Sequence, residues 1–535
     1  MFDLIVRGGR IVDGSGGPWF RGDVGIVGDR IAALGTLLPP AADHDESDPR
    51  VNAVVDAAGL VVAPGFVDFH SHSDVSLLAD PRAESAVRQG ITTQLVGNCG
   101  FSAAPVKACH RQAYRRDGLM YSHTGYDWDW STIAEYRQRL AEARPAINVL
   151  TLVGHNTLRA AVVGQLDRLA SDEELASMRR LLEQALTDGA VGLSSGLTYT
   201  PGSFADTREL QYLIAALDGT GLGYHTHLRN YSDDLPAALD EALAVTANPS
   251  VPLFVSHLYP AGRDHWGTAG AVLLQLEQAR AWGAEVCFDV TPWLRGGGPL
   301  SQYVPAHARA GGTSALVSRL REPGSRASLA HEMESGVAGL RQRWDDELIV
   351  RVGSAAHAEW VGQTIADLAE MRGELAAETA LGLLAEDDGQ VWVAPTSKSA
   401  ADVELLLAHP LGIPVTDGIT VAIDGPLGRP EMQKSYGTFP RVLGHYVRER
   451  GVVRLEEAVR KMTAEPARRL GLWDRGILRP GMRADLTVFD PGGIADSGNE
   501  RLGGRYPVGV EYVIVNGQLA LSRGKRTTVR AGLVL

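Results

Sequence analysis

The sequence predicts an α/β fold: a TIM-like (β/α)8 barrel with a small β-sandwich that both chain termini build together. Apolar, β-branched runs alternate with helical stretches through the middle of the chain. Short strands and tight turns occupy both ends. With 535 residues, 44% of them apolar, the chain is long enough for one large barrel and a smaller appended domain.

Residues 1–60 are predicted to form the N-terminal part of the β-sandwich. The runs at 24–27 and 31–34 flank Gly28 and Asp29, which are typical of a hairpin turn. Residues 36–52 are rich in Pro, Ala and Asp and are predicted to be a surface loop. His44 in this loop is therefore interpreted as a solvated side chain and not as a metal ligand.

Residues 61–474 are predicted to form the barrel, because continuous apolar runs are typical of parallel strands that are covered on both faces. Amphipathic helices are predicted at 173–187 and 455–463. Eight runs give the strand count of the barrel, while a run at 391–394 is a candidate for an extra strand. The eight lie at 61–69, 91–96, 147–153, 189–197, 222–227, 251–257, 285–290 and 413–416.

A long insertion and a second β segment complete the chain. The insertion opens at Gly296 and is predicted to run to about residue 350. Because it follows the seventh apolar run, it is either a lid over the barrel mouth or a surface excursion. Residues 475–535 are predicted to form the C-terminal part of the β-sandwich, with a hairpin turn at Asn516 and Gly517.

Six of the apolar runs are followed or ended by residues of types that can bind metals or transfer protons. In a parallel barrel these positions are the carboxyl ends of the strands, where active sites are built. A single histidine after a strand is more often a structural hydrogen-bonding group, but this recurrence predicts one shared site. The residues are His70, His72, Cys99, His155, His225, His227, His257 and Asp417.

Two groups of metal ligands are expected at this site. His70 and His72 are two residues apart on a strand, so both side chains face the same way and can hold one metal ion. Cys99, His227 and His257 form a set of three, and three protein ligands plus water are typical of a catalytic zinc site.

Asp417 is the candidate for the proton-transfer group, because a carboxylate can take a proton from a metal-bound water and deliver it to a leaving amine. A helix N-cap is the alternative interpretation of this residue. The fourth apolar run contains no lysine, so the carboxylated lysine that bridges two metals in many barrel hydrolases is missing. Cys99 is the remaining candidate for holding or bridging metal.

The chain resembles the amidohydrolase superfamily and, within it, the N-acyl-D-amino-acid deacylases (D-aminoacylases) over nearly its whole length. The His-x-His motif in APGFVDFHSHSD at 63–74 is shared across the superfamily. The segments VGNCGFS at 96–102 and YGTFPRVLG at 436–444 are specific to the deacylase branch, and GLSSGLTYTP at 192–201 also matches.

This resemblance implies a zinc-dependent hydrolase that cleaves a linear amide bond with a metal-activated water. It implies one tight Zn²⁺ on Cys99, His227 and His257, and a weaker or empty second site on His70 and His72. It also implies the two catalytic residues, which are Asp417 as general base and then acid, and Tyr199 as the donor that polarises the scissile carbonyl.

The candidate substrate-binding residues depart from the family. The deacylases hold the substrate carboxylate with a lysine, a tyrosine and an arginine, and the matched positions here are Tyr259, Thr291 and Lys434. Lysine is not equivalent to arginine at such a site. Arg295 or Arg229 is a candidate to compensate, and His155 is a further candidate for substrate binding. We therefore expect a substrate other than a simple N-acetyl-D-amino acid, such as a bulkier amide or one capped at the carboxyl group.

Two other functions remain possible from the sequence. A deaminase of this type usually carries a glutamate soon after the histidine that matches His227, but the next carboxylate here is Asp233. A cyclic amidase usually needs the bridging lysine. A barrel without catalytic activity, used as a scaffold, typically loses metal ligands or the base, whereas this chain keeps the full set.

Charge and cysteine content restrict the partners. The formal net charge of −13 disfavours nucleic acid and anionic membrane surfaces, which leaves a small-molecule amide as the expected partner. No secretory signal and no membrane-spanning run are recognised. Three cysteines, Cys99, Cys109 and Cys287, form no disulfide framework, so a cytoplasmic location is expected.

Overall fold

The structure is a computed structural model. It describes residues 1–37, 53–107, 111, 126–247, 251–334, 336, 342–427, 431–501 and 503–535. His44, most of the predicted loop around it, and Cys109 lie outside the described residues.

A parallel barrel forms the centre of the molecule, as the sequence predicts. Its strands, among the described residues, are β1 Phe66–Asp68, β2 Ile91–Val96, β3 in two pieces (Asn148–Thr151 and Val153–Gly154), β4 Gly192–Gly196, β5 Gly223–His227, β6 Leu253–Val255, β7 Val286–Val290 and β8 Gly412–Pro414. Neighbouring strands pair in this order. The barrel closes between β8 and β1, where the Asp417 amide donates to the His70 carbonyl (3.0 Å) and the His72 amide donates to the Gly418 carbonyl (2.8 Å).

Helices cover the outside of the barrel. The helix Asp172–Thr187 shows why they form: Ser171 and Glu174 make a capping box at its start, and Leu175, Met178 and Leu182 bury one face. The barrel helices are Ser76–Ala79, Glu84–Arg88, Ile133–Ala143, His155–Val162, Asp172–Thr187, Thr207–Ile214, Leu235–Val245, Ala269–Ala281, Ala400–Ala408, Lys434–Arg441, Val442–Glu449 (a π-helix), Leu455–Met462 and Ala464–Arg469.

Strands from both ends of the chain form one nine-stranded sheet. Val61–Pro64 joins the two halves, because it pairs in parallel with Leu4–Ile11 and antiparallel with Leu486–Phe489. An apolar cluster with residues from both halves packs against the sheet. The other strands are Phe20–Val27, Arg30–Gly35, Val54–Asp56, Val510–Val515, Gln518–Ser522 and Lys525–Arg526.

The insertion has its own sheet and its own apolar core. Its three antiparallel strands are Gly298–Pro299, Leu348–Arg351 and Trp392–Ala394. The predicted end near residue 350 is therefore wrong, and the run at 391–394 belongs to this sheet and not to the barrel. Its helices are Ala306–Arg309, Gly312–Leu320, Pro323–Glu334, Ile365–Arg372 and Ala376–Glu386. No helix in the described ranges has both the length and the apolar character that crossing a membrane requires.

Candidate active site

A cavity of about 830 Å³ lies at the carboxyl ends of the barrel strands. Its floor includes His72, Cys99, His227, His257 and Asp417, all of which follow or end barrel strands. Residues of the insertion form much of its wall, among them Tyr303, Arg309, Glu347, Arg351 and Trp392. The insertion therefore lies at the barrel mouth, and its role as a lid stays a prediction.

Cys99, His227 and His257 bring their ligand atoms together at the floor. The Cys99 Sγ lies 3.5 Å from the His257 Nε2, which lies 2.9 Å from the His227 Nδ1. The Thr198 hydroxyl contacts the other ring nitrogen of His227 at 2.8 Å and so fixes the orientation of this ring. All three ligand atoms lie within 4.8 Å of one another, as a shared metal ion requires.

The pKa values of Cys99 and His227 suit metal ligation. Burial by itself raises the pKa of the Cys99 thiol, but the neighbouring His70 and His257 lower that pKa well below its ordinary value. Burial, together with His257, lowers the pKa of His227 to about 4. Thiolate and neutral imidazole are the forms that bind metal.

The second group consists of His70, His72, Cys99 and Asp417, whose ligand atoms also lie within 4.8 Å of one another. The Asp417 Oδ1 is 3.2 Å from the His72 Nε2 and 3.5 Å from the His70 Nε2. The Cys99 Sγ lies 3.3 Å from the His70 Nε2. Cys99 thus stands between the two groups, which is the position that a bridging thiolate would take.

Three of these residues have left-handed backbone conformations. The φ angles of Cys99, His257 and Asp417 are +52°, +33° and +46°. Side chains other than glycine rarely adopt this region, and such strain is concentrated at functional sites. The Cys99 loop also packs closely on β4, since a Cβ atom at Gly196 would lie 2.1 Å from the Cys99 carbonyl oxygen.

Asp289 on β7 supports both groups, although it is not among the residues that the sequence pattern predicts for the site. Its Oδ2 contacts the His70 Nδ1 at 3.0 Å, and its Oδ1 accepts a 2.5 Å hydrogen bond from the His257 amide. Carboxylates that orient metal-binding histidines in this way are common in metal sites. The sequence does contain one indication of this role: Asp289 is a single carboxylate inside a buried apolar strand. Because a buried charge requires a partner, such a residue is expected to contact a cation or a histidine.

Asp417 is held in its ionised form. The Lys434 Nζ donates to the Asp417 Oδ2 at 2.8 Å. Burial raises the pKa of Asp417, but Lys434 and the hydrogen bond from His72 outweigh it and hold that pKa well below its ordinary value. Lys434, expected to bind substrate, therefore contacts the candidate base directly. The N-cap interpretation of Asp417 does not apply, since its carboxylate points to these partners.

Tyr199 lies beside the first group of ligands. Its ring centroid is 4.7 Å from that of His227. Burial, followed by the nearby Cys99, raises the pKa of Tyr199 well above its ordinary value, so the hydroxyl keeps its proton. Arg309 of the insertion donates to the Thr198 carbonyl at 3.1 Å, which ties the insertion to the segment that carries Tyr199.

Two predicted substrate-binding residues have other contacts. His155 is fully buried behind the cavity wall and pairs with Glu209 at 2.7 Å. Arg295 pairs with Asp346 at 2.7 Å and donates to the Ala394 carbonyl at 2.6 Å. Neither residue lines the cavity. In this structure the His155 imidazole and the Arg295 guanidinium therefore bind partners within the fold, and their part in substrate binding stays a prediction.

Tyr259 lines the cavity, while Thr291 lies buried next to it. Both contact Lys398, a residue that the sequence analysis did not place in the site. The Lys398 Nζ donates to the Thr291 hydroxyl and lies 4.6 Å from the centroid of the Tyr259 ring. Burial lowers the pKa of Lys398 to about 8. The sequence pattern does not predict this lysine as a site residue, because it does not follow a barrel strand. Only the tertiary fold of the insertion brings it to the cavity.

Comparison with known proteins agrees with this site. The amidohydrolase family matches residues 53–520. N-acyl-D-glutamate deacylase from Alcaligenes xylosoxydans xylosoxydans is 35% identical, over 96% of this chain and 93% of the relative. D-aminoacylase from the same organism is 33% identical, over 100% of this chain and 97% of the relative.

A solved structure of N-acyl-D-glutamate deacylase from Bordetella bronchiseptica, with zinc and a phosphonate that mimics the tetrahedral intermediate, is also similar. It covers 100% of this chain and 99% of its own, with a TM-score of 0.81 and 31% identity. The barrel, the ligands at its strand ends and these full-length matches together show that the chain belongs to the amidohydrolase family.

Proposed function

We propose that this protein is a zinc-dependent deacylase that hydrolyses the amide bond of N-acyl-D-amino acids. The observation that carries the proposal is the convergence of Cys99, His227, His257 and Asp417 at the floor of one cavity. The D configuration and the N-acyl-amino-acid class are taken from the relatives, which cover nearly the whole chain.

The residues present fit zinc. One thiolate and two imidazoles match the borderline-soft character of this ion, and three protein ligands leave one position open for catalysis. Zinc bound there would lower the pKa of a water molecule and polarise the scissile carbonyl, the two contributions that amide hydrolysis needs. We propose His70 and His72 as ligands of a weaker second site, because Asp417 and Cys99 complete that group.

Asp417 moves the proton. Its Oδ1 faces the His70 and His72 imidazoles of the second group, beside the Cys99 that both groups share, and there it accepts the proton that water releases on attacking the carbonyl carbon. The same oxygen then delivers this proton to the leaving nitrogen, so that water and amide become a carboxylic acid and an amine. Lys434 keeps Asp417 ionised and ready to accept in the free enzyme.

Tyr199 stabilises the oxygen of the attacked carbonyl. Its hydroxyl keeps its proton, its ring lies next to His227 and the residue lines the cavity, so we propose that it donates a hydrogen bond as negative charge develops. Asp289 holds His70 and the His257 backbone in place and takes no part in proton transfer.

The cavity supports a substrate larger than an N-acetyl amino acid. Its volume of about 830 Å³ lies in the upper part of the range of small-molecule sites, about 300–1,000 Å³. Aromatic rings of Tyr231, Tyr259 and Trp392 line it. We therefore propose a bulky acyl group or a bulky amino-acid side chain.

The test is amine release from a panel of N-acyl-D-amino acids, their L forms and their carboxyl amides, with zinc supplied. We expect the D acids to be cleaved fastest, with longer acyl groups preferred over acetyl. Ammonia released from the carboxyl amides would instead show hydrolysis of the terminal amide and not of the N-acyl bond. Equal rates on D and L forms, or no cleavage of any amide by zinc-loaded protein, would contradict the proposal.

A further inference from the structure

Lys398 is a buried lysine at the cavity whose charge has no acidic partner. Its side chain is only 4% exposed, and it lines the cavity from the end of the insertion. Among the described residues, no carboxylate forms an ion pair with it. Lys434 differs in this respect, because it is neutralised by Asp417, as Arg351 is by Glu431.

An unpaired ammonium group is expensive to bury, and proteins usually pair such groups. The surroundings of Lys398 orient the charge without neutralising it. The Thr291 hydroxyl accepts one hydrogen bond from the Nζ, and the Tyr259 ring faces the Nζ at 4.6 Å. An ammonium group has three donors, so this arrangement leaves donors free for an anion that enters the cavity.

The position of Lys398 relates it to the metal ligands. The Tyr259 ring that contacts Lys398 lies 6.4 Å from the His257 ring, centroid to centroid, and stacks on Tyr231 at 5.3 Å. The same aromatic ring therefore neighbours both the Lys398 ammonium group and the His257 imidazole. Lys398, Tyr259 and His257 line the same cavity, so a substrate whose amide reaches the metal ligands can place an anionic group elsewhere in that cavity, at Lys398.

We infer that Lys398 binds the α-carboxylate of the substrate, with Thr291 and Tyr259 orienting its ammonium group. This inference rests on the proposed deacylase function and adds a residue that sets its specificity. It also explains why Tyr259 and Thr291 can stand where the resemblance predicts a lysine and a tyrosine. The positive charge comes to these two residues from the segment just after the insertion and not from the strand end.

The test compares Lys398→Met with wild type on two matched substrates, an N-acyl-D-amino acid and its carboxyl amide. We expect kcat/KM for the free acid to fall about 10- to 100-fold, the usual range for a hydrogen bond to a charged group. The amide should change by much less. Lys525→Met, at an exposed position in the terminal sheet, is the control and should leave both rates unchanged.

Stability separates this role from a structural one. Because Lys398→Met removes an unpaired buried charge, we expect its melting temperature to equal or exceed that of wild type. A lower melting temperature with parallel losses on acid and amide would assign Lys398 a structural role and overturn the inference.

Calorimetric binding of the free acid distinguishes the inference from the proposed function. If zinc-loaded wild type cleaves neither substrate, the deacylase proposal fails, yet binding of the acid that Lys398→Met abolishes would still support a carboxylate site. Binding that Lys398→Met leaves unchanged would overturn the inference, whether or not wild type is active.

Discussion

Asp417→Asn is expected to lower kcat by about 100- to 10,000-fold, the contribution usual for a general acid–base group, while zinc content stays at the wild-type level. Asparagine keeps the shape of the side chain but accepts no proton. It also tolerates the left-handed backbone at this position, where φ is +46°, so the fold should be retained. The measurements are steady-state kinetics and metal analysis on the same preparation.

The matched control for this substitution is Asp424→Asn. Asp424 is 81% exposed and lies seven residues further along the same segment. We expect wild-type kinetics and wild-type zinc from this variant. Substantial activity in Asp417→Asn would show that another group transfers the proton. If this variant lost both its zinc and its activity, Asp417 would be an essential metal ligand.

Cys99→Ala is expected to lose zinc together with activity. The thiolate contacts both ligand groups, at 3.3 Å from the His70 Nε2 and 3.5 Å from the His257 Nε2. Its removal therefore takes one ligand from each group. Metal affinity should fall by more than the about 10- to 100-fold that loss of a supporting residue costs. Metal analysis after dialysis, followed by activity with excess zinc, measures this effect.

Cys287→Ala provides the control for a buried cysteine. Cys287 is fully buried on β7, and burial raises the pKa of its thiol to about 12, so it stays a neutral apolar side chain. This variant should keep its zinc and its activity. If Cys99→Ala retained full zinc occupancy, the ligand set would have to be His227, His257 and a residue other than Cys99.

The barrel and most of the floor of the site could be predicted because they depend on local sequence pattern. Apolar runs predict the strands. Because the strands are parallel, the residues that follow them lie together at one end of the barrel. This reasoning located Cys99, His227, His257 and Asp417 without any contact information. The spacing of apolar residues likewise predicts the helix at Asp172–Thr187.

What could not be predicted depends on contacts between distant segments. Lys398 joins the site through the insertion, and the end of the insertion at Ala394 is set by pairing between Trp392–Ala394 and Leu348–Arg351. His155 and Arg295 have residue types that suit substrate binding, yet Glu209 and Asp346 already pair with them. Residue type alone does not show whether a polar group has a partner within the fold.

The most direct test of the central claim is a zinc titration of chelator-stripped protein, followed by amine release from an N-acyl-D-amino acid. We predict that the stripped protein is inactive and that one equivalent of zinc, bound by Cys99, His227 and His257, restores the rate. Full activity in the stripped protein, or zinc binding at one equivalent without any hydrolysis, would contradict it.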